Sequence, residues 1–376
     1  MRIAFITIMG GSPWGGSEVL WSEAALQARR DGHEVFFAAF AYPERPAPIR
    51  ALLELGATGH FRPTYSPAMS VRVVRRFRNL ARGGDAELKA LQDFRPDRIV
   101  ISQGSSYDLL HYPGLQDYVL RAGIPYFVIC HNYNEGLALQ DVIRERLLQV
   151  FRAARQVFMI CDAQREAIQE QLLCRLSNMS IVNNPLNIAT PEILGPPRGR
   201  TVMFASVASM HLDRKGQDLL FNAFSRPQWK ERDWKLNLYG NGPDRECIER
   251  LARYHNLAER TVFHGHVASI RAVWESNHML VLSSRIETGP MALLEAMLCG
   301  RPVVTTQVGK VRELIRDGVE GFVAPAATAD LLAAALDRAW QSRDSWTAMG
   351  AAAFRAAGAD ADPKAAATFL KKVTAG

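Results

Sequence analysis

Short, continuous runs of apolar residues recur along the chain, each followed by a polar or glycine-rich stretch and then a longer segment with helical spacing. They fall at 3–8, 33–40, 98–102, 126–130, 156–161 and 180–182, and again at 202–207, 235–239, 261–265, 279–282, 302–305 and 321–324. A strand with one wet face alternates apolar and polar positions, whereas an unbroken run marks a strand buried on both faces. Runs of this kind alternating with helices predict doubly wound parallel sheets, an α/β fold with helices on each side. The first helix is expected over 17–30. From Ala326 onward the chain is alanine-rich and helical, with breaks near Gly350 and over 358–363.

The pattern restarts once. Asn184-Pro185 and the Pro-, Gly- and polar-rich stretch 187–200 separate the two series of strands and read as an interdomain connection. The expected organisation is an N-terminal Rossmann-like domain over 1–186, a linker over 187–200 and a second domain over 201–355. A C-terminal helix at about 360–376 is expected to pack back on the first domain. Two such domains facing a cleft would hold ligands at the carboxyl ends of their strands.

Composition narrows the class without choosing a function. The 376 residues are 48% hydrophobic and 22% charged, which excludes disordered and fibrous chains. A net charge of +7 and a pI near 9.3 suit an anionic small molecule, an anionic membrane surface or nucleic acid. Cys130, Cys161, Cys174, Cys247 and Cys299 are scattered, with no Cys-x-x-Cys pair, and read as thiols in a reducing compartment. The N-terminal apolar run is too short for a signal-peptide core. No stretch approaches the roughly 18–20 apolar residues of a membrane span, so the expected location is the cytoplasm.

Several segments could carry chemistry. The first strand runs into Gly10-Gly11-Ser12-Pro13-Trp14-Gly15-Gly16-Ser17-Glu18 and a helix. Glycines let backbone approach a ligand, and a helix start favours an anion. A dinucleotide fingerprint needs different glycine spacing and an acid ending the second strand, and a P-loop needs Gly-Lys-Ser/Thr; both are absent. A tight strand-to-helix turn remains the alternative. His131 ends an apolar strand, where it could donate to a hydroxyl or phosphate, although a lone histidine is more often structural. Lys215-Gly216, just past the strand at 202–207, is a candidate point charge for a diphosphate, against a solvated loop. Gly240 and Gly242 mark a turn that allows close backbone approach. The densest segment is Glu287-Thr288-Gly289-Pro290-Met291 through Glu295. Glu287 lies in a loop after a buried strand, Pro290 suits a helix start, and Glu295 lies just inside that helix. Amides near Gly289, Pro290 and Met291 suit phosphate or a sugar hydroxyl, and a carboxylate accepts from vicinal hydroxyls. The competing reading is a cap and a surface charge.

In this order and spacing the chain resembles the retaining glycosyltransferases of family 4, which have the GT-B fold. Gly15-Gly16-Ser17-Glu18 is similar to that family's Gly-Gly-x-Glu element, His131 to its strand-end histidine and Asn184-Pro185 to the Asn-Pro before its hinge. Lys215-Gly216 resembles its diphosphate-binding Lys-Gly, and Glu287 through Glu295 its Glu-x7-Glu. The resemblance implies that Glu287, His131 and Lys215 act in catalysis. It also implies that Glu287 contacts the donor sugar, Glu295 the ribose and Lys215 the diphosphate. His266 and Val267 fall where the base is held, and Gly15 and Gly16 would approach the donor phosphate or acceptor. Glu313 and Asp317-Gly318 match the tail of the domain. Ser209 stands where the family usually has arginine, with Arg214 or Arg285 as candidate replacements. Thr288-Gly289-Pro290 stands for Gly-Phe-Gly, and Lys310 for a glycine.

The implied function is transfer of a hexosyl group from a nucleoside-diphosphate sugar to a glycan or lipid-linked acceptor, in bacterial glycan, glycolipid or polysaccharide synthesis. It implies no cofactor and no metal. The alternatives are a non-catalytic nucleotide-sugar-binding protein and a GT-B nucleotide-sugar epimerase. The stretch 71–82 holds five arginines and no acid. It reads either as a helix resting on an anionic membrane, making the protein peripheral there, or as a helix with a solvated arginine face. No motif for nucleic-acid binding is present.

Overall fold

A computed structural model describes residues 1–10, 14–63, 86–134, 136, 138–188, 190–267 and 269–375. The arginine-rich stretch 71–82 lies outside the described residues. The chain divides into two compact units, Met1–Pro185 with Asp362–Gly376, and Leu186–Ala361.

The first unit carries a seven-stranded sheet of β1 (Arg2–Thr7), β2 (Glu34–Ala41), β3 (Thr58–Pro63), β4 (Arg98–Ser105), β5 (Tyr126–Asn132), β6 (Gln156–Met159) and β7 (Met179–Ile181). Their order is β3-β2-β1-β4-β5-β6-β7, and every pairing is parallel. Successive residues of the apolar runs feed opposite faces. Ile3, Phe5, Val35, Phe37 and Phe127 enter one core, while Ala4, Ile6, Phe36, Ile99 and Val128 enter the other. Such two-faced burial is what the unbroken runs require. β3 has no apolar run, because its Thr-Gly-His-Phe-Arg-Pro sequence forms the sheet edge and, among the described strands, pairs only with β2.

The second unit repeats the plan with β8 (Val202–Val207), β9 (Trp234–Tyr239), β10 (Thr261–Gly265), β11 (Met279–Leu282), β12 (Val303–Thr306) and β13 (Gly321–Ala324). These six strands are also all parallel, in the order β10-β9-β8-β11-β12-β13. Both sheets reverse their winding beside the first strand, between β1 and β4 and between β8 and β11. In open α/β sheets that switch point opens a crevice at the carboxyl ends of the strands.

The stretch 187–200 packs on the second unit. Leu194 is buried in its core, Glu192 N and Leu194 N donate to Leu298 O and Cys299 O, and Arg301 donates to Leu194 O and Gly195 O. Its backbone groups find partners there, so this proline-rich segment belongs to a domain surface. The last helix, Ala365–Thr374, buries Phe369, Leu370 and Val373 in the first unit's core, with Phe369 edge-on to Phe158 at 5.1 Å.

The helix Trp346–Asp360 contains two glycines in opposite situations. A Cβ on Gly350 would lie 2.0 Å from Gly300 O, whereas one on Gly358 would meet nothing within 4 Å. Alanine is the better helix former at both positions. Gly358→Ala is expected to stabilise the protein by about 0.5–1 kcal/mol, and Gly350→Ala to destabilise it by about 1–3 kcal/mol. Urea unfolding of the pair decides it, and equal stabilisation by both substitutions would contradict the packing.

Candidate functional site

In the second unit, the loops after β8 and β11 flank the switch point and are stapled to each other through backbone. Gly216 adopts φ +62 and approaches so closely that a Cβ would lie 2.2 Å from Ser283 O. Ser283 Oγ donates to Lys215 O at 2.9 Å, and Arg285 N donates to Arg214 O at 2.7 Å. Across this seam the Lys215 ammonium pairs with the Glu287 carboxylate, which also accepts from Ser284 Oγ at 3.2 Å. A third loop, after β12, closes on the second. Lys310 N donates to Thr288 O at 2.7 Å, and a Cβ on Gly309 would lie 2.3 Å from that same oxygen. Lys310 is itself buried, with its ammonium 2.7 Å from Asp360.

Glu295 follows in the helix Met291–Met297 and is 2% exposed. Burial pushes its carboxyl up to about 6, against the opposing effect of a hydrogen bond from Asn187 Nδ2 at 3.0 Å. A carboxylate held out of water at this energetic cost, on the helix that follows β11, is a candidate functional group. Gly289 and Met291 are half-buried and Pro290 is buried.

Other positions singled out in the sequence fall differently. Gly240 and Gly242 are glycine for internal reasons: a Cβ would lie 2.2 Å from Ala208 O and 2.3 Å from Met210 O, respectively. Their close approach is to the loop after β8. Arg285 is engaged, its guanidinium gripping Asp218 through both nitrogens at 2.8 and 2.6 Å and donating to Leu212 O. It is therefore no free replacement for a cation at Ser209, while Arg214 is exposed. His266 is exposed and Val267 packs against the core, both following the edge strand β10, two strands from β8.

In the first unit, Gly15 precedes the helix Gly16–Arg30 without a side-chain cap. It is exposed, and among the described residues a Cβ there would meet only Ser17 Oγ at 4.0 Å. Glu18 turns inward and is held above the ordinary carboxylate range by burial, accepting from Thr7 Oγ1 at 2.8 Å and from Trp21 Nε1. It anchors the turn to β1. His131 is buried at the end of β5, with Nε2 3.1 Å from Ser102 Oγ and Nδ1 without a hydrogen-bond partner among the described residues. Burial lowers its pKa to about 3, so the imidazole is neutral and suited to hydrogen bonding.

Sequence reasoning missed Asn187, Ser284, Asp218 and Asp360, which hold the site residues from elements distant in sequence. Among the described residues no three His, Cys, Asp or Glu side chains come together in a way that could hold a metal ion, and no helix is long and apolar enough to cross a membrane.

The raised Glu295 carboxyl sets a stability prediction. The folded state holds its proton up to about pH 6 and the unfolded chain only to about 4.5, so this group's contribution falls as pH rises through that window. The loss is about 2 kcal/mol. Glu295→Gln is expected to unfold at higher urea than the wild type at pH 7.5 but not at pH 4. A variant less stable at both pH values would contradict a buried, destabilised carboxylate.

The chain matches two family models in succession, Glycosyltransferase Family 4 over residues 14–190 and Glycosyl transferases group 1 over residues 200–342. It is similar to the lipopolysaccharide 1,6-galactosyltransferase of Salmonella typhimurium, with 26% identity over 174 residues, 44% of this chain and 48% of that protein. The matched stretch thus spans about half the length of that relative. Two solved structures share the fold. The lipopolysaccharide outer core galactosyltransferase WaaB, in its apo form, has a TM-score of 0.64 at 19% identity, covering 95% of this chain and 98% of that one. Anabaena Alr3699/HepE in complex with UDP-glucose has a TM-score of 0.69 at 16% identity, covering 99% and 98%. With two parallel Rossmann-like sheets and both family matches laid end to end, the chain belongs to the glycosyltransferases of the GT-B fold, of the group 1 and family 4 type.

Proposed function

We propose that this protein transfers a hexosyl group from a nucleoside-diphosphate sugar to an acceptor hydroxyl with retention of anomeric configuration, in the synthesis of a bacterial glycan, glycolipid or polysaccharide. The observation that carries the reading is the Lys215–Glu287 pair, fixed across the β8/β11 switch point with the buried Glu295 on the following helix. One cation for a diphosphate, one carboxylate for a sugar and one for a ribose are the groups such a donor requires. A relative acting on lipopolysaccharide and a fold neighbour holding UDP-glucose support the substrate class.

In this reading the anomeric C–O bond breaks and the diphosphate leaves with the bonding pair, its growing charge met by Lys215. The acceptor oxygen bonds to the same face of the anomeric carbon, and its proton passes to the departing phosphate oxygen. Glu287 holds the sugar, the amides of Gly289 and Met291 border it, and His266 and Val267 flank the base. Within the first unit, Gly15, Gly16 and the neutral His131 are hydrogen-bonding groups suited to a hydroxyl or a phosphate. These protein groups do the work without a resident metal.

Thermal-shift screening against UDP-, GDP-, ADP- and dTDP-hexoses should identify one donor base, and that donor should be hydrolysed slowly without acceptor. Lys215→Ala and Glu287→Ala are expected to lower kcat/KM by a factor on the order of 10²–10³, and NMR of the product should show the donor's anomeric configuration. Wild-type rates in both variants would overturn the assigned site. An inverted product would overturn retention, and tight binding with no turnover across acceptors would reduce the protein to a nucleotide-sugar binder.

A further inference from the structure

A diphosphate brings two negative charges to the β8/β11 strand ends, and most of the cations there already face carboxylates. Lys215 is paired with Glu287, and Arg285 is gripped by Asp218. One basic side chain of the same loop is placed differently. His211 is half-buried at the turn before the short helix Leu212–Lys215, and its carbonyl accepts from Lys215 N at 2.8 Å, which fixes its backbone directly beneath the lysine. Its ring is oriented by Ser209, whose Oγ lies 3.2 Å from Nδ1. Nε2 makes no hydrogen bond among the described residues. Ser209 is held in turn, its carbonyl accepting from Gln217 Nε2 at 3.0 Å. An imidazole with one nitrogen held by a hydroxyl and the other uncommitted has a hydrogen-bonding group left for a ligand atom.

We propose that His211 is a further donor-binding residue, which takes up a proton when the diphosphate of the nucleotide sugar binds and so supplies a positive charge that the empty site lacks. This rests on the donor reading above. The charged groups around the ring explain why the proton arrives with the ligand. Burial, and after it the Arg214 charge, hold His211 below its ordinary pKa; Lys215 acts in the same direction, while Asp213 and Asp244 oppose them. Asp244 is itself occupied, its carboxylate accepting from Leu212 N at 2.9 Å. In the empty site a third cation next to Arg214 and Lys215 is unfavourable. A bound diphosphate reverses that sign, because an anion beside the ring favours its charged form. The imidazole then charges, and binding consumes a proton. Ser209 is the positioning residue: it holds the ring by its hydroxyl without adding a charge.

The test uses calorimetry of whichever of UDP-, GDP-, ADP- and dTDP-glucose the screen identifies. A nucleotide sugar is esterified at both ends of its diphosphate, so its own charge stays constant over the range. In buffers of different ionisation enthalpy at pH 7, wild type should take up a fraction of a proton on binding and His211→Gln should take up less. Between pH 8 and pH 5.5 the wild-type affinity should rise by about tenfold relative to His211→Gln, one pKa unit of coupling. Taking the ratio to the variant removes the contribution of Glu295, which titrates nearby in both proteins. His211→Lys should bind tightly at pH 8 without this pH dependence, because its charge is permanent. Ser209→Ala should weaken binding while keeping part of the proton uptake. Equal proton uptake and parallel pH profiles in wild type and His211→Gln overturn the role of His211 and leave the donor site standing. Binding of none of the four donors overturns both readings.

Discussion

The geometry of the candidate site depends on one steric constraint, the close approach of backbone to backbone where the loops after β8, β11 and β12 meet. Gly216 against Ser283 O, and Gly309 against Thr288 O, leave no room for a Cβ. These contacts place the Lys215 and Glu287 backbones before any side chain acts. Parallel strands supply the scaffold. With β8 and β11 adjacent and their connections winding in opposite directions, the two loops diverge on the sheet and are free to meet above it. The side-chain bonds from Ser283 to Lys215 O and from Thr306 to Ser284 O then fasten a seam that the backbone has already made.

Electrostatics follow from that seam. A lysine and a glutamate brought together with little exposure satisfy each other in the empty site, so neither is left as a bare buried charge. A diphosphate and a sugar hydroxyl would replace each partner with a comparable one. Glu295 is the more demanding group. It is nearly fully buried, accepts from Asn187 Nδ2, and lies in a helix whose other buried residues are apolar. Stability is given up there to keep a carboxylate out of water. Lys310 shows the opposite solution, a buried ammonium answered by Asp360 at the end of a distant helix.

Most of the fold was legible because buried parallel strands write themselves as unbroken apolar runs. Val202–Val207, Thr261–Gly265, Met279–Leu282 and Gly321–Ala324 begin and end where the pattern places them. β3 was illegible for the same reason, since an edge strand of Thr, Gly, His and Arg has no run to show. The stretch 187–200 has a linker's composition, yet it lies along the second unit with its backbone hydrogen-bonded to Leu298 and Cys299. Of the site, the residues carried by short motifs, Lys215, Glu287 and Glu295, were visible as candidates. Their partners were not. Asn187 lies 108 positions from Glu295 and Asp218 lies 67 from Arg285, and only the folded chain brings them together. The glycines of 240–242 show the converse, because sequence registers that a Cβ is excluded without saying what excludes it.

The central claim is that the loops after β8 and β11 hold the nucleotide-sugar diphosphate. Hydrogen–deuterium exchange of the full chain, with and without the donor that binds, tests it directly. The account predicts slower exchange on binding over 209–216 and 283–291. Donor binding that leaves both stretches unchanged while protecting others would contradict it.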